Sequence, residues 1–442
     1  LSKQKSLDDY VGVSTRGTRG LGEGYAEQGG GFIQEDDYIV DLHLHSRYSR
    51  ATSEFMNLQG ITRNSKLKGL RLIGSGDALH PAWLKELKAS LKHVGGELYE
   101  YEDVLVVPTA EVSTVFSDDA GVTHKVHHLL VFPAISSAEA LAEKLGRYGD
   151  LASDGRPTLN VDPPTLVDEV QSVDPHIEVI PAHVWTPWFS LFGSNSGFNS
   201  VEECYADRSD LIHSLETGLS SDPEMNWMIS RLDRFNLLSN SDAHSHHPWR
   251  LGREANVFTL KQADYEHLLD VLVRGEGLKL TLEVPPEFGK YHWTGHRSCG
   301  VSMPPEEALK RGNVCPVCGR RMTVGVEQRV YELADRPRGS KPNGKPPFIR
   351  VLPLHELIMA TTSSNTYTSK RVRDIYQVLT AKYGNEYRVL LDAPISELEA
   401  FNPQLARLIK DMRSNRLRVE PGYDGVYGKL ILGDTSFSPE AD

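Results

Sequence analysis

Long apolar runs are missing. No stretch of the 442 residues approaches the ~18 uncharged apolar residues that a membrane span needs. The opening residues of this sequence do not read as a basic-then-apolar leader. Cysteine is scarce, with 4 in the chain. That excludes a disulfide framework and favours a thiol metal clip in a reducing compartment. Basic charge is in deficit, 48 Lys+Arg against 60 Asp+Glu, but unevenly. Residues 1–284 hold 25 basic and 42 acidic side chains, residues 285–442 hold 23 and 18, and 310–382 alone holds 14 and 5. An acidic first part followed by a basic second part suits a multi-metal site beside a polyanion-binding module. No internal repeat is evident.

The length implies two or three domains, since one core seldom serves more than roughly 250–300 residues. Residues 1–35, rich in Gly, Ser, Arg and Glu without apolar periodicity, read as a disordered extension. From 36 to 284, short apolar strands alternate with amphipathic helical patterns. That alternation predicts βα units and a parallel sheet, and its length suits a closed α/β barrel with the active site at the C-terminal strand ends. Residues 285–335 break the rhythm and hold three cysteines. Residues 336–347 read as an exposed basic linker. Residues 348–432 read as mostly helical, with strands near 388–391 and 418–420, and 433–442 as a frayed tail.

The chemistry begins at Ile39-Val40-Asp41-Leu42-His43-Leu44-His45. Residues two apart on a strand share a face, so His43 and His45 present two imidazoles to one ion, with Asp41 on the same side. Later strands end in further ligand types. Asp77 follows Leu72-Ile73-Gly74, and Glu111 follows Val106-Val107. His127 and His128 open a strand, His183 closes another, and Asp242-x-His244 closes a third. Carboxylates bridge cations, and neutral imidazoles suit Zn, Mn and Fe. Two or three ions in one bowl activate water and clamp a phosphodiester.

Downstream, His296-x2-Cys299 and Cys315-Pro316-Val317-Cys318 have zinc-ribbon spacing, with His292 as the alternative to His296. The closed site this predicts is structural. It would carry the basic stretch 310–350 onto nucleic acid phosphates. Cys204 stands alone and reads as buried packing.

His43-x-His45, Asp77, Glu111, His128, His183 and Asp242-x-His244 resemble the ligand series of the PHP (polymerase and histidinol phosphatase) superfamily of phosphoesterases. The resemblance implies a distorted (β/α)7-type barrel binding two or three divalent metals, Zn, Mn or Mg. Asp41 and His127 then become neighbours that orient ligands. Where many members have Asp-His, Asp77 is followed by Ala78, which leaves His80 as a substitute ligand. Asp242 is the best candidate to hold metal and nucleophile together, with Glu111 and His183 completing the catalytic set.

Within that superfamily, four stretches resemble the endonuclease Q family of DNA-repair nucleases. These are Pro181–Gly193, Glu216–Asp222, Ser239–Ser245 and His247–Glu254, together with the cysteine segment, which in the family usually has Cys at the place of His296. The resemblance implies hydrolysis 5′ to uracil, hypoxanthine, xanthine or an abasic site, in double- or single-stranded DNA, by a cytoplasmic, nucleoid-associated enzyme. It leaves 3′-hydroxyl and 5′-phosphate ends. A sliding clamp is a partner of archaeal members, although no clear clamp-binding box is present. An enzyme that selects a damaged base extrudes it between aromatic or apolar walls. Trp185, Trp188, Phe189 and Phe192 are candidate walls, and Arg250 and Arg253 candidate phosphate forks. The rival readings are a histidinol-phosphatase-like monoesterase, which leaves the zinc module unexplained, and a non-catalytic DNA-binding subunit, which leaves the ligand series unexplained.

Overall fold

The computed structural model describes residues 32–437 except Ser196, Ser363, Asn365, Gly433 and Asp434. Most of the expected N-terminal extension and of the tail thus lie outside the described residues.

Strand Asp37–Asp41 pairs in parallel with Leu72–Gly74, which pairs in parallel with Val104–Val107. The packing is close enough to demand glycine at position 74. A Cβ there would stand 2.1 Å from the Leu42 carbonyl oxygen and 2.5 Å from Thr109 Oγ1. On its other side Asp37–Asp41 pairs antiparallel with Ala255–Thr259, followed by Leu278–Glu283 and Phe348–Arg350, in an eight-stranded sheet. Immediately after Val107, the chain enters a four-stranded sheet built on the long hairpin Thr109–Ser117/Thr123–Val131, with Glu178–Pro181 antiparallel to its second arm. Ser214–Glu216 and Asn236–Leu238 form a parallel pair, and the bridge Leu44–Ala243 returns the wall to its first strand. The result is a mixed α/β wall whose antiparallel members distort the regular βα pattern.

Helices Leu58–Lys68, Pro81–Ser90, Ile135–Leu145, Pro163–Val173 and Tyr265–Arg274 cover the sheets. Their starts are local chemistry. Asn57, Asp162 and Asp264 each cap an N-terminus by accepting a backbone N–H, and Pro81 and Pro163 occupy first-turn positions where no donor is needed.

Helices Leu354–Thr362, Lys370–Tyr383, Glu386–Leu391, Ile395–Phe401 and Pro403–Arg413 form the C-terminal unit. The strand expected near 388–391 is a helix. The Asn385 side chain accepts the Arg388 N–H, and this cap settles an apolar run that periodicity alone leaves ambiguous. The unit shares one apolar core with the barrel, in which Ile39, Leu44 and Val257 join Leu357, Val372, Leu379 and Ile409.

A buried ion pair crosses the same seam. Lys68 Nζ donates to Glu386 Oε1 at 2.7 Å and to the Pro248 carbonyl at 2.9 Å, and Glu386 also accepts from the Leu354 N–H and the Tyr376 hydroxyl. Both side chains are at most 1 % exposed. Lys68→Met leaves the carboxylate uncompensated and should cost about 3–5 kcal/mol. Urea unfolding measures this, and a loss under about 1 kcal/mol would show that the pair does not hold the seam.

The cysteine segment forms a hairpin, Thr294–His296/Val301–Met303, with Cys315 packed beside Met303, Ala308 and Met322. The basic stretch that follows is tied down. Arg336 bridges to Asp233 at 2.9 and 2.6 Å, Arg338 to Glu327 at 2.7 Å, and Lys345 Nζ donates to the Phe235 carbonyl at 2.8 Å. Much of the basic charge thus fastens the segment to the barrel, while Lys310, Arg320 and Arg321 stay exposed around the cysteine knuckle.

Candidate metal centre and its surroundings

Strand ends converge on Glu111, which is 1 % exposed. Its Oε2 lies 3.4 Å from His43 Nε2 and 3.1 Å from His45 Nε2, and Asp242 Oδ1 lies 3.6 and 3.0 Å from the same nitrogens. Its Oε1 lies 2.7 Å from His127 Nδ1 and 3.1 Å from His183 Nε2. Two donor groups therefore share one carboxylate: His43, His45, Glu111 and Asp242, and Glu111, His127 and His183. His43 Nε2 is buried without a hydrogen-bond partner among the described residues. An orphaned imidazole nitrogen facing two carboxylates, within a nitrogen-and-oxygen donor set, fits divalent cations.

The outer contacts hold this arrangement. His43 Nδ1 lies 3.0 Å from Glu216 Oε2 and His45 Nδ1 lies 3.0 Å from Asp77 Oδ1. A carboxylate on each Nδ1–H fixes the tautomer that turns Nε2 inward. Asp77 Oδ2 is already taken by the Ser46 N–H and hydroxyl, both at 2.6 Å, and by Ser49. Asp41 accepts from Ser241 and Gly252 and so anchors the loop that carries Asp242. Asp77, His183 and Asp242 sit at φ of 48°, 31° and 48°. Strain of this kind persists where the surroundings hold it, commonly at functional sites.

Charge state follows from the crowding. Burial pushes the Glu111 carboxyl up, but His127, His43 and Arg156 outweigh it and hold it well below the usual carboxylate range. Burial opposes charge on His43 as well, and Glu216, Glu111 and Asp242 overcome it. Burial takes His127 down to about 4.

The series expected from sequence is brought together in part. His43, His45, Glu111, His183 and Asp242 converge. His128 does not. Neighbours on a strand face opposite sides, and His128 points away, with Nε2 2.9 Å from Thr114 Oγ1 and Nδ1 2.7 Å from the Tyr205 hydroxyl. His127 stands in its place. Asp77 backs His45 instead of facing the donor groups. His244 lies at the rim, its ring 4.4 Å from that of His45, outside both groups. His80 caps its helix and contacts the Ala152 carbonyl. Sequence reasoning missed Glu216 and Arg156, whose Nη1 lies 3.3 Å from Glu111 Oε2. Glu216 ends a strand as Glu111 begins one, a signal that was there to find. Arg156 comes from a loop and had none.

The aromatic loop divides. Trp185 is 1 % exposed and donates to Asn226 Oδ1 at 2.8 Å, with Phe192 against it, so both are core. Trp188 is 42 % exposed, and the Phe189 ring lies 5.0 Å from that of His127. Those two alone of the four remain available to a substrate. Arg253 donates to the Ser241 carbonyl at 3.3 and 3.2 Å, and Arg250 lies near the Tyr367 ring.

His296, Cys299, Cys315 and Cys318 offer four ligand atoms within 4.8 Å of one another. The Val317 and Cys318 backbone amides point at Cys315, an arrangement suited to a thiolate knuckle. His292 instead lies 3.5 Å from Glu327. Among the described residues no helix is long and apolar enough to cross a membrane.

Fold and site together define a mixed α/β protein whose strand ends gather nitrogen and oxygen donors suited to divalent metal ions. The chain is similar to the lesion-specific endonuclease PfuEndoQ of Pyrococcus furiosus, with 36% identity and a TM-score of 0.81 over 90% of this chain and 96% of that one. It is equally similar to an endonuclease Q solved with a 27-mer duplex substrate carrying an abasic lesion at the active site, with 35% identity and a TM-score of 0.80 over 90% and 97%. The chain belongs to the endonuclease Q family, and its wall is the distorted barrel of that PHP fold. Residues 353–416 match the MJ0043 C-terminal domain family. The uncharacterized protein MJ0043 of Methanocaldococcus jannaschii is 36% identical over 58% of this chain, a match spanning 32% of that protein's length. YqxK of Bacillus subtilis, also uncharacterized, is 26% identical over 88% of this chain and 98% of its own.

Proposed function

We propose that this protein is a DNA-repair endonuclease that hydrolyses the phosphodiester 5′ to uracil, hypoxanthine, xanthine or an abasic site, leaving 3′-hydroxyl and 5′-phosphate ends. The observation that carries the reading is the pair of donor groups joined by Glu111, in a chain that matches a lesion-bound endonuclease Q over 90% of its length. Two divalent ions, Zn, Mn or Mg, fit the two groups, and one structural Zn fits the cysteine cluster. Ions in the bowl would neutralise phosphate charge and lower the pKa of a water.

The chain's own residues do the rest. His43, His45 and Asp242 hold one side of Glu111, with His127 and His183 on the other. The Asp242 side chain is 30 % exposed while those of His43, His45 and Glu111 are fully buried. It is thus the carboxylate open to substrate: as the water oxygen bonds to phosphorus and the P–O3′ bond breaks, Asp242 would take the water's proton at Oδ2, the oxygen not turned to His43 and His45, and O3′ would leave with a proton from solvent. Arg156, 28 % exposed and beside Glu111, donates to the phosphate. Lys310, Arg320 and Arg321 on the zinc module contact the duplex backbone.

End-labelled duplexes carrying one uracil, hypoxanthine, xanthine or abasic site test the reading, beside an undamaged control, with Mg²⁺ or Mn²⁺. One cut immediately 5′ to each lesion and none in the control is expected. Release of phosphate from small monoesters with intact duplexes would overturn it.

A further inference from the structure

Asp242 stands at φ 48°, a conformation that an aspartate keeps only where its neighbours fix it. The residue before it is gripped at every polar atom. The Ser241 N–H and hydroxyl donate to the two Asp41 oxygens at 3.1 and 2.5 Å, and the Ser241 carbonyl accepts from Arg253 Nε and Nη2 at 3.3 and 3.2 Å. Asp41 in turn accepts the Gly252 N–H at 3.0 Å. Two consecutive residues, Gly252 and Arg253, thus hold the link that sets Asp242, one through Asp41 and one directly.

The segment that carries them is itself held from outside the barrel. The Tyr387 hydroxyl, on helix Glu386–Leu391 of the C-terminal unit, donates to the Gly252 carbonyl at 2.5 Å. Tyr387 is 1 % exposed, and Lys68 Nζ, which pairs with the adjacent Glu386, lies 5.2 Å from its ring centroid. On the opposite side, a Cβ on Gly252 would come 3.0 Å from Lys68 Cγ and Leu70 Cδ1. Gly252 is therefore clamped between the barrel and the C-terminal unit. From the Tyr387 oxygen to Asp242 the path runs through Tyr387 to Gly252, Gly252 to Asp41 and Ser241 to Asp41, and then one peptide bond. A phenylalanine ring would fill the same apolar core. What the hydroxyl adds is one bond, and that bond lands on the residue that orients Asp41.

We propose that Tyr387 is a positioning residue for Asp242, through which the C-terminal unit completes the metal centre. The proposal rests on the endonuclease reading above. The hydroxyl holds Gly252, Gly252 orients the Asp41 carboxylate, and Asp41 holds Ser241 so that Asp242 Oδ1 faces His43 and His45 at 3.6 and 3.0 Å. Without the hydroxyl the buried Gly252 carbonyl loses its donor, the segment shifts, and Asp242 leaves its place in the donor group.

The full chain is titrated with Mn²⁺, with the free ion read by electron paramagnetic resonance, and single-turnover cleavage of an abasic duplex is followed at saturating protein. Tyr387→Phe should weaken Mn²⁺ binding about 10-fold and slow cleavage about 10-fold, with duplex affinity within about twofold of wild type. Ile409→Val trims the same core away from this path. It should lower the urea midpoint and leave Mn²⁺ affinity and rate within about twofold. Ser241→Ala should itself weaken Mn²⁺ binding, and adding Tyr387→Phe to it should cost less than about threefold more, because the path is already cut. A Tyr387→Phe protein with a lowered urea midpoint but unchanged Mn²⁺ affinity and rate would overturn the proposal, since the hydroxyl then only stabilises. So would an equal loss of Mn²⁺ affinity in Ile409→Val, or full multiplication of effects in the double variant. A wild-type protein that binds Mn²⁺ but leaves the duplex intact overturns the endonuclease reading, while the titrations still decide the role of Tyr387. Should Tyr387→Phe fail to fold, Gly252→Ala strains the same link from the barrel side, and unchanged Mn²⁺ affinity there would overturn the proposal.

Discussion

Glu111→Gln is expected to lower single-turnover cleavage by about 10³-fold or more, roughly 4 kcal/mol of transition-state stabilisation, and to strip the bowl of metal. The size follows from position. One carboxylate faces His43 and His45 with Oε2, and His127 and His183 with Oε1. An amide keeps the shape but offers one oxygen, and its NH₂ must face one histidine pair or the other. Neither donor group survives intact. Arg156 also loses its anionic partner at 3.3 Å and is left beside the imidazoles. Duplex affinity should change by less than about threefold, because Glu111 is too buried to touch DNA. Metal content per chain, fluorescence anisotropy and single-turnover rates on one preparation check all three expectations. A variant that keeps its ions and cuts within about tenfold of wild type would remove Glu111 from the centre of the mechanism.

How much of this was legible can be argued residue by residue. His43 and His45 were readable because strand period fixes which side chains share a face, and both belong to the same donor group. Glu111, His183 and Asp242 were readable because apolar runs marked where their strands stop or start. The period that revealed these ligands also hides a choice. Between His127 and His128 a one-residue register decides which points inward, and composition is silent on it. Asp77 shows a second limit. It lies at the centre, but on the Nδ1 side of His45, and only three-dimensional placement separates a ligand from the carboxylate that orients one. A cavity where the barrel rim meets helix Leu354–Thr362 shows a third. Leu219, Arg253, Phe288, Glu356 and Tyr427 come from five separate segments, one of them in the C-terminal unit, and no spacing rule connects them. The basic stretch after 310 was visible as charge. Its partners Asp233 and Glu327 were not, so side chains that fasten the module read as side chains offered to DNA.

The register choice yields the second large effect. His127→Ala is expected to cost one ion per chain and about 10²–10³-fold in rate, whereas His128→Asn should keep the full metal complement and lose stability instead. His127 Nδ1 lies 2.7 Å from Glu111 Oε1 and 3.2 Å from His183 Nε2, which leaves that end of the carboxylate with His183 alone once the ring is removed. The His127 ring also packs 5.0 Å from Phe189, so its loss loosens the segment beside the bowl. His128 is a structural group. Burial takes it down to about 3, so it stays neutral, and both ring nitrogens are matched, to Thr114 and to Tyr205. Asparagine cannot span the two partners, and one buried hydroxyl left unmatched costs about 1–3 kcal/mol. The two variants thus move different observables: metal stoichiometry and rate for His127, and the urea midpoint for His128. Should His128→Asn lose metal while His127→Ala keeps it, the strand register drawn between Glu111 and its neighbours would be wrong by one residue. The expected ligand series with His128 in it would then stand.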